Sequence, residues 1–540
     1  MEFVASYSKG LRIKKKAGWG PAEVKFEKTS WLFSILKLSG NMQNTLVPDS
    51  GILYLKSKFF LIRVLTYFSF LLIPIWVPKS SGVPSGVQAF AVALYILFIC
   101  SQWFFLGKEI DHRLKIYFRV NSSMDRLVYR LFLGMFFFIL YFNVLSFLPG
   151  KWIYNSFWIT WVILGLFYSW PTRGKIIRES VTSNFTEFRY LDSFEKTLVI
   201  LILLLFAFSI PDLPNLKEAE ALKLFFDPNE KISGFLWSFI KVNYYPFYKY
   251  PDLLKLAWSF HFYFVNLGMF LFCYYALLRF YVSRRLSLLG VFALLSSWSW
   301  TKVLVADFGS ALFETYSLLW IWTLLWVTRS STYRTGLFLG LVSFYGALIF
   351  HQWWLLWVPQ LVLIYFFLDT KTLWFKRQAF RYALFGLGLT VLALLANSGF
   401  SDGYINLNSS YLGKAYTIFT RKAFYSLAPI GFLLALAICF KSKNSFLRDL
   451  KLDPVYLKHL LLSVLVLVLF DLVGGSGIFG SLSLMWLFAL FSLFPLELIF
   501  QTMSRLRSSR NMIYLVYILI CLLDSHFEGR VKIFLRTFDL

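Results

Sequence analysis

Charge is sparse along this chain, and acids are the sparser sign. Charged residues fill 15% of its 540 positions, against roughly 25% in an average soluble domain, too few to coat an ordinary water-facing surface. Cysteine is rarer still. Cys100, Cys273, Cys439 and Cys521 each sit alone inside an apolar run, with no metal-binding or redox spacing, so no disulfide framework is expected. No nucleotide-binding loop, zinc motif or nucleophilic-serine elbow interrupts the polar segments, which argues against ATP-driven work and hydrolase chemistry of those types. Neither a repeat of fixed period nor a low-complexity stretch divides the chain. A cleavable leader is not expected, because a polar stretch with basic residues such as Arg12–Lys16 precedes the first apolar run.

What the chain has is apolar length. Hydrophobic residues make up 58% and aromatics 21%, and runs long enough to cross a hydrocarbon core of about 30 Å recur along nearly all of it. They predict an all-α integral membrane protein, a polytopic bundle of about 14 transmembrane helices. The runs fall at 59–77, 88–107, 128–149, 152–170, 197–211, 257–282, 286–306, 308–328, 335–350, 352–368, 379–397, 424–440, 457–473 and 478–500, with a short one at 511–524. Three regions follow: a basic tail over 1–58, a membrane block over 59–196 with no assigned role, and a larger membrane block over 197–540.

Bases outnumber acids 54 to 28, a formal net charge of +26. They lie between apolar runs instead of forming one face, so they report topology and not nucleic-acid binding. Under the positive-inside rule the N-terminal tail, Lys108–Arg130, Arg173–Lys196, Arg279–Arg285, Arg329–Arg334, Lys371–Arg381, Lys441–Lys458 and Arg505–Arg510 are expected in the cytoplasm. The loop over 211–256, Asp307, His351 and the loop over 398–423 are then expected outside.

That topology collects Asp212, Glu218, Glu220, His261, Lys302, Asp307, His351, Gln352, Arg421, Lys422 and Asp471 at the outer ends of several runs, as for a shared cavity open to that side. Solvation at the headgroup level is the competing explanation for each of them, since span ends tolerate charge. Asp307 stands apart: it occupies a tight turn between two apolar runs, with Lys302 before it and Glu314 after it. Ionisable groups so close in an apolar setting are costly unless paired or used. His351 lies beside Trp353, Trp354 and Trp357, a pattern of interfacial anchoring. Gly234–Tyr250 mixes aromatics with lysines, as in a helix lying in the membrane surface above the cavity.

Five landmarks recur in a known order: the run and acidic loop of Thr197–Tyr250, the basic turn within Arg279–Leu289, Asp307, the turn Thr328–Arg334 and the glycine-rich Gly336–Leu341. In this the chain resembles the C-type (GT-C) integral-membrane glycosyltransferases, which include protein mannosyltransferases and aminoarabinose transferases. The likeness covers about 200 residues of the larger block and rests on hydropathy and these polar landmarks. The family's Asp-Glu pair has no counterpart; Lys217–Ala219 or Asp212 stands in its place.

The resemblance implies transfer of a sugar from a polyprenyl-phosphate donor to a lipid, glycan or protein acceptor on the outer face of a bacterial cytoplasmic membrane. It implies Asp212 or Glu218 as general base, and Asp307 as the residue that orients the acceptor or holds a divalent cation. Lys302, Arg421 and Lys422 would hold the lipid phosphate, with Glu220, His261 and His351 lining the substrate site. Two other classes remain open. A transporter or flippase of lipid-linked material would use a helix break at Gly474–Gly477, although no related halves are visible. A membrane acyltransferase would be built on His351.

Overall fold

A computed structural model describes residues 49–77, 85–113, 123–145, 152–169, 190–209, 241–297, 308–329, 333–349, 359–360, 362–363, 388, 427–440, 454–474, 485–502 and 507–538. The chain divides into two compact units, Met1–Phe59 and Phe60–Leu540. Of the first, only the helical residues 49–59 are described.

Among the described residues the chain is helical, without strands. In chain order the helices are α1 (Asp49–Leu71), α2 (Ile73–Trp76), α3 (Ser85–Arg113), α4 (Ser123–Leu145), α5 (Trp152–Ser169) and α6 (Ser193–Ala207). After a 3₁₀ turn at Tyr245–Phe247 come α7 (Pro251–Phe260), a π-turn (His261–Leu267) and α8 (Gly268–Tyr281), which form one continuous rod. They are followed by α9 (Arg284–Ser296), α10 (Phe308–Arg329), α11 (Tyr333–Ile349), α12 (Ala428–Phe440), α13 (Pro454–Gly474), α14 (Met485–Thr502), α15 (Arg507–Asp524) and α16 (Phe527–Phe538).

Among the described residues three stretches are long and apolar enough to cross a membrane: Gly86–Arg113, Asp125–Leu145 and Pro251–Tyr281. The α15–α16 pair, bent by 53° at Ser525–His526, makes a fourth when taken as one span. Large apolar side chains such as Leu61, Phe90, Ile163, Leu203 and Leu433 stand more than half exposed around the outside. A water-soluble monomer does not carry so much exposed apolar surface. This is a helical membrane protein. The rod Pro251–Tyr281 is its centre, the most deeply buried of the three.

Small residues let these helices approach closely. A Cβ on Gly107 would lie 1.8 Å from the Arg130 carbonyl oxygen, and one on Gly134 would lie 1.7 Å from that of Trp103. Helices α3 and α4 therefore touch backbone to backbone, the usual device where lipid removes the hydrophobic drive for association. A different cause brings α12 onto α14. Pro495 lies inside α14 and has no N–H to offer the carbonyl four residues back. That carbonyl is Phe491 O, the atom a Cβ on Gly431 would meet at 1.7 Å.

Several boundaries differ from those read in the sequence. The helix expected over 286–306 ends at Ser296, with extended backbone at Ser297. The run expected from 257 begins at Pro251, because Pro251 has the φ suited to a first helical turn and the polar Asp252 is solvent-exposed while Leu253 and Leu254 are buried. His261 thus lies roughly 15 Å along the rod from its start, buried and not at an outer surface. The segment expected to lie in the membrane surface is described from Lys241 onward. There residues 241–244 and Phe247 are buried: the Asn243 carbonyl accepts from Tyr95 Oη at 2.9 Å, and the half-buried Tyr245 stacks on Tyr154 with ring centres 3.9 Å apart.

Helix α15 settles how the short run at 511–524 is used. It extends back to Arg507 for 18 residues, about 27 Å. Arg510 lies beside the starts of α6 and α9, and Arg530, just beyond the other end of α15, meets Ser209 and the last residues of α9. Helices α6, α9 and α15 consequently run parallel between an arginine-rich end and an opposite end. The bend into α16 is made by His526, whose φ of 47° is the left-handed conformation that commonly closes a helix.

Candidate functional site

Asp212, Glu218, Glu220, Lys302, Asp307, His351, Arg421 and Lys422 lie outside the described residues. His261 is described, and so are the elements that lead to the others. It opens the π-turn, in which one extra residue per turn interrupts the regular hydrogen-bond ladder of the rod. Such bulges occur mostly where a helix is shaped for a function.

His261 is hydrogen-bonded through Nδ1 to the Tyr244 hydroxyl, with Trp258 stacked at 6.4 Å between ring centres. The π-turn packs against α3, α8 and α10. Those elements, with the segment before Pro251, bring Lys241, Asn243, His261, Asn266 and Glu314 into the interior, each no more than 4% exposed. Asn266 Nδ2 and Ser317 Oγ are buried without a hydrogen-bond partner among the described residues. Polar and ionisable side chains are costly to bury in an apolar bundle unless paired or used, so a concentration of them marks a functional interior or a buried path. A phenol hydrogen-bonded to an imidazole can hold and pass a proton. Among the described residues no group of three His, Cys, Asp or Glu side chains is arranged to hold a metal ion.

A second polar constellation lies at the arginine-rich end. Locally it begins with the sequence D-S-F-E at Asp192–Glu195, which folds as a capping box. Asp192 Oδ1 accepts from the Glu195 N–H at 2.7 Å, and Glu195 Oε2 accepts from the Asp192 N–H at 3.0 Å, reciprocally satisfying the first turn of α6. The same carboxylates then bind the start of α9. Arg284 donates through Nε to Glu195 Oε1 at 2.8 Å and through Nη2 to Oε2 at 2.6 Å, a bidentate pair. Arg285 is paired with Asp192.

Around them opens a cavity of about 370 Å³ lined also by Arg279, Glu497, Gln501, Arg510 and Tyr514. Glu497 accepts from the Ser283 N–H at 3.1 Å and from Gln501 Nε2 at 3.0 Å. In the sequence these arginines read only as topology signals. The signal that could have revealed the cavity is Glu497, the one charged residue in the otherwise uncharged run over 485–500.

Partial burial lifts the Asp192 carboxyl, but the Glu195 N–H and the Arg285 guanidinium outweigh it and hold the group below the usual carboxylate range. A depressed value in the folded state contributes stability above the unfolded value of about 3.9, and that contribution is lost as pH falls through the folded value. Thermal midpoints measured in detergent should therefore separate wild type from Asp192→Asn at neutral pH and converge below about pH 4. A constant gap down to pH 3 would show that the ion pair contributes no pH dependence.

Comparison with known proteins finds no matching family model, no matching curated protein and no matching solved structure.

Proposed function

We propose that this chain is an integral-membrane glycosyltransferase of about 14 crossing helices, using a polyprenyl-phosphate sugar on the side opposite its arginine-rich loops. The observation that carries the reading is the set Lys241, Asn243, His261, Asn266 and Glu314, polar groups kept buried on elements that meet at the π-turn. The segments holding Asp212, Glu218 and Asp307 join these same elements. An apolar bundle retains such groups where a polar substrate or a proton must enter.

In the proposed reaction a carboxylate, Asp212 or Glu218, takes the acceptor hydroxyl proton as the acceptor oxygen bonds to the anomeric carbon. The bond from that carbon to the phosphate oxygen breaks, and the lipid phosphate leaves with the electron pair. Lys302, Arg421 and Lys422 stabilise the leaving charge. Asp307 orients the acceptor or holds a divalent cation.

Two measurements test this. Purified protein in nanodiscs should move label from a radiolabelled polyprenyl-phosphate sugar to a membrane acceptor. No transfer from any donor, together with movement of the intact donor between leaflets of vesicles, would replace the transferase by a flippase. The orientation is tested separately in intact cells. A cysteine replacing Ser233 should react with an impermeant thiol reagent, and one replacing Ser183 should not; labelling at Ser183 alone would invert the topology.

A further inference from the structure

We propose that the arginine cavity and the apolar groove beside it together bind one anionic phospholipid of the membrane. This goes beyond the transferase reading and does not depend on it, since the two constellations lie toward opposite ends of the bundle.

The headgroup half follows from the charge pairing. Of the four arginines lining the cavity, Arg284 and Arg285 are taken by Glu195 and Asp192. Arg279 and Arg510 form no ion pair or hydrogen bond with any described residue, and the Nε of each is buried without a partner. Burying a guanidinium nitrogen without an acceptor is costly, so a cavity that presents two of them is built for acceptor oxygens from a ligand. Glu497 offsets one of these two charges, leaving a single net positive charge among the described lining residues. That matches the monoanion of a phosphodiester, whose oxygens suit the donor fork of arginine.

The chain half follows from helical periodicity. A groove of about 380 Å³ runs between α6, α8 and α9 and is lined by Val199, Phe206, Gly268, Tyr275, Leu288 and Val291, among other residues. On each helix the stripe continues from a residue of the charged cavity. Glu195, Val199 and Phe206 follow at steps of four and seven on α6. Arg279, Tyr275 and Gly268 do so in reverse on α8, and Arg284, Leu288 and Val291 step by four and three on α9. Such spacings fall on one helical face. Tyr275 joins the two halves: it lines the groove one helical turn from Arg279, which lines the charged cavity. From Glu195 to Phe206 the stripe rises roughly 16 Å, about half the hydrocarbon thickness, the depth of one leaflet. Gly268 keeps it open, since a Cβ there would meet only Phe206 Cζ at 3.7 Å. A free anion has no use for the groove, and an uncharged lipid has none for Arg279 and Arg510.

The test titrates the full chain in detergent micelles with dioleoyl phosphatidylglycerol, dioleoyl phosphatidylcholine or inorganic phosphate, reading the thermal midpoint. Phosphatidylglycerol should raise it saturably, and the other two should not. In Arg279→Gln/Arg510→Gln the apparent affinity for phosphatidylglycerol should fall by about tenfold or more, as for lost hydrogen bonds to a charged group. Gly268→Leu, which alters no charge, should weaken binding by filling the groove. Should the double variant fail to fold, Arg510→Gln alone carries the charge arm. Equal shifts from phosphatidylcholine, or unchanged affinity in both the charge and groove variants, would overturn the proposal. A full shift from inorganic phosphate alone would reduce the site to one for a free anion and also overturn it.

Discussion

Arg530→Met should lower the unfolding free energy by about 3–5 kcal/mol, because several buried acceptors lose a charged donor at once and each left unsatisfied costs about 1–3 kcal/mol. Arg530 is fully buried. Its Nε donates to Ser525 O at 2.8 Å, and its Nη2 donates to Leu295 O at 2.8 Å and Ser296 O at 3.0 Å. The remaining nitrogen, Nη1, donates to the Ser209 hydroxyl. Leu295 and Ser296 are the last residues of α9, so the guanidinium supplies the cation and the donors that a helix C-terminus lacks. It also fastens α16 to the ends of α6 and α9. Methionine fills much of the volume and leaves those carbonyls unsatisfied. Arg530→Lys keeps the charge without the planar fork and should fall between the two. Denaturant unfolding monitored in micelles would show this ordering. Wild-type stability in Arg530→Met would mean that α16 is merely laid against the bundle.

The second large effect concerns the acids of the proposed reaction. If Asp212 or Glu218 is the general base, its amide variant should lose roughly a hundredfold or more in transfer rate with donor binding retained. Asp212 lies between Pro211 and Pro214, whose fixed φ restricts the chain. Glu218 stands in E-A-E-A-L-K, with helix-forming composition. Asp307→Asn should abolish transfer with little change in thermal stability, because an amide occupies the same space. Single-turnover assays on the three variants, paired with melting curves, separate these roles. Parental rates in both Asp212→Asn and Glu218→Gln would end the glycosyltransferase mechanism, and equal loss of folding and activity in Asp307→Asn would make that residue structural.

Much of the local fold was legible in the sequence. The run at 308–328 appears as Phe308–Arg329, and that at 152–170 as Trp152–Ser169. Errors arose where hydropathy and helix geometry part company. Pro251–Lys255 contains charges yet is helical because Leu253 and Leu254 face inward while Asp252 stays in solvent, and the helix expected to 306 stops at Ser297 despite the continuing apolar residues. The π-turn left no mark, since its residues H-F-Y-F-V-N-L are as compatible with an α-helix.

By itself the sequence determined the class of the protein. Hydrocarbon has a fixed thickness and offers no hydrogen bonds, so any chain built of repeated long apolar runs must form helices that satisfy their own backbones. It also determined on which loops the arginines fall. Only the tertiary structure decided what those arginines do, because side-chain pairing depends on which helices become neighbours. Glu195 finds Arg284 across 89 positions, and Ser209 finds Arg530 across 321. The pairing of Arg284 and Arg285 with carboxylates, the isolation of Arg279 and Arg510, and the depth of His261 follow from that packing, which local hydropathy does not encode.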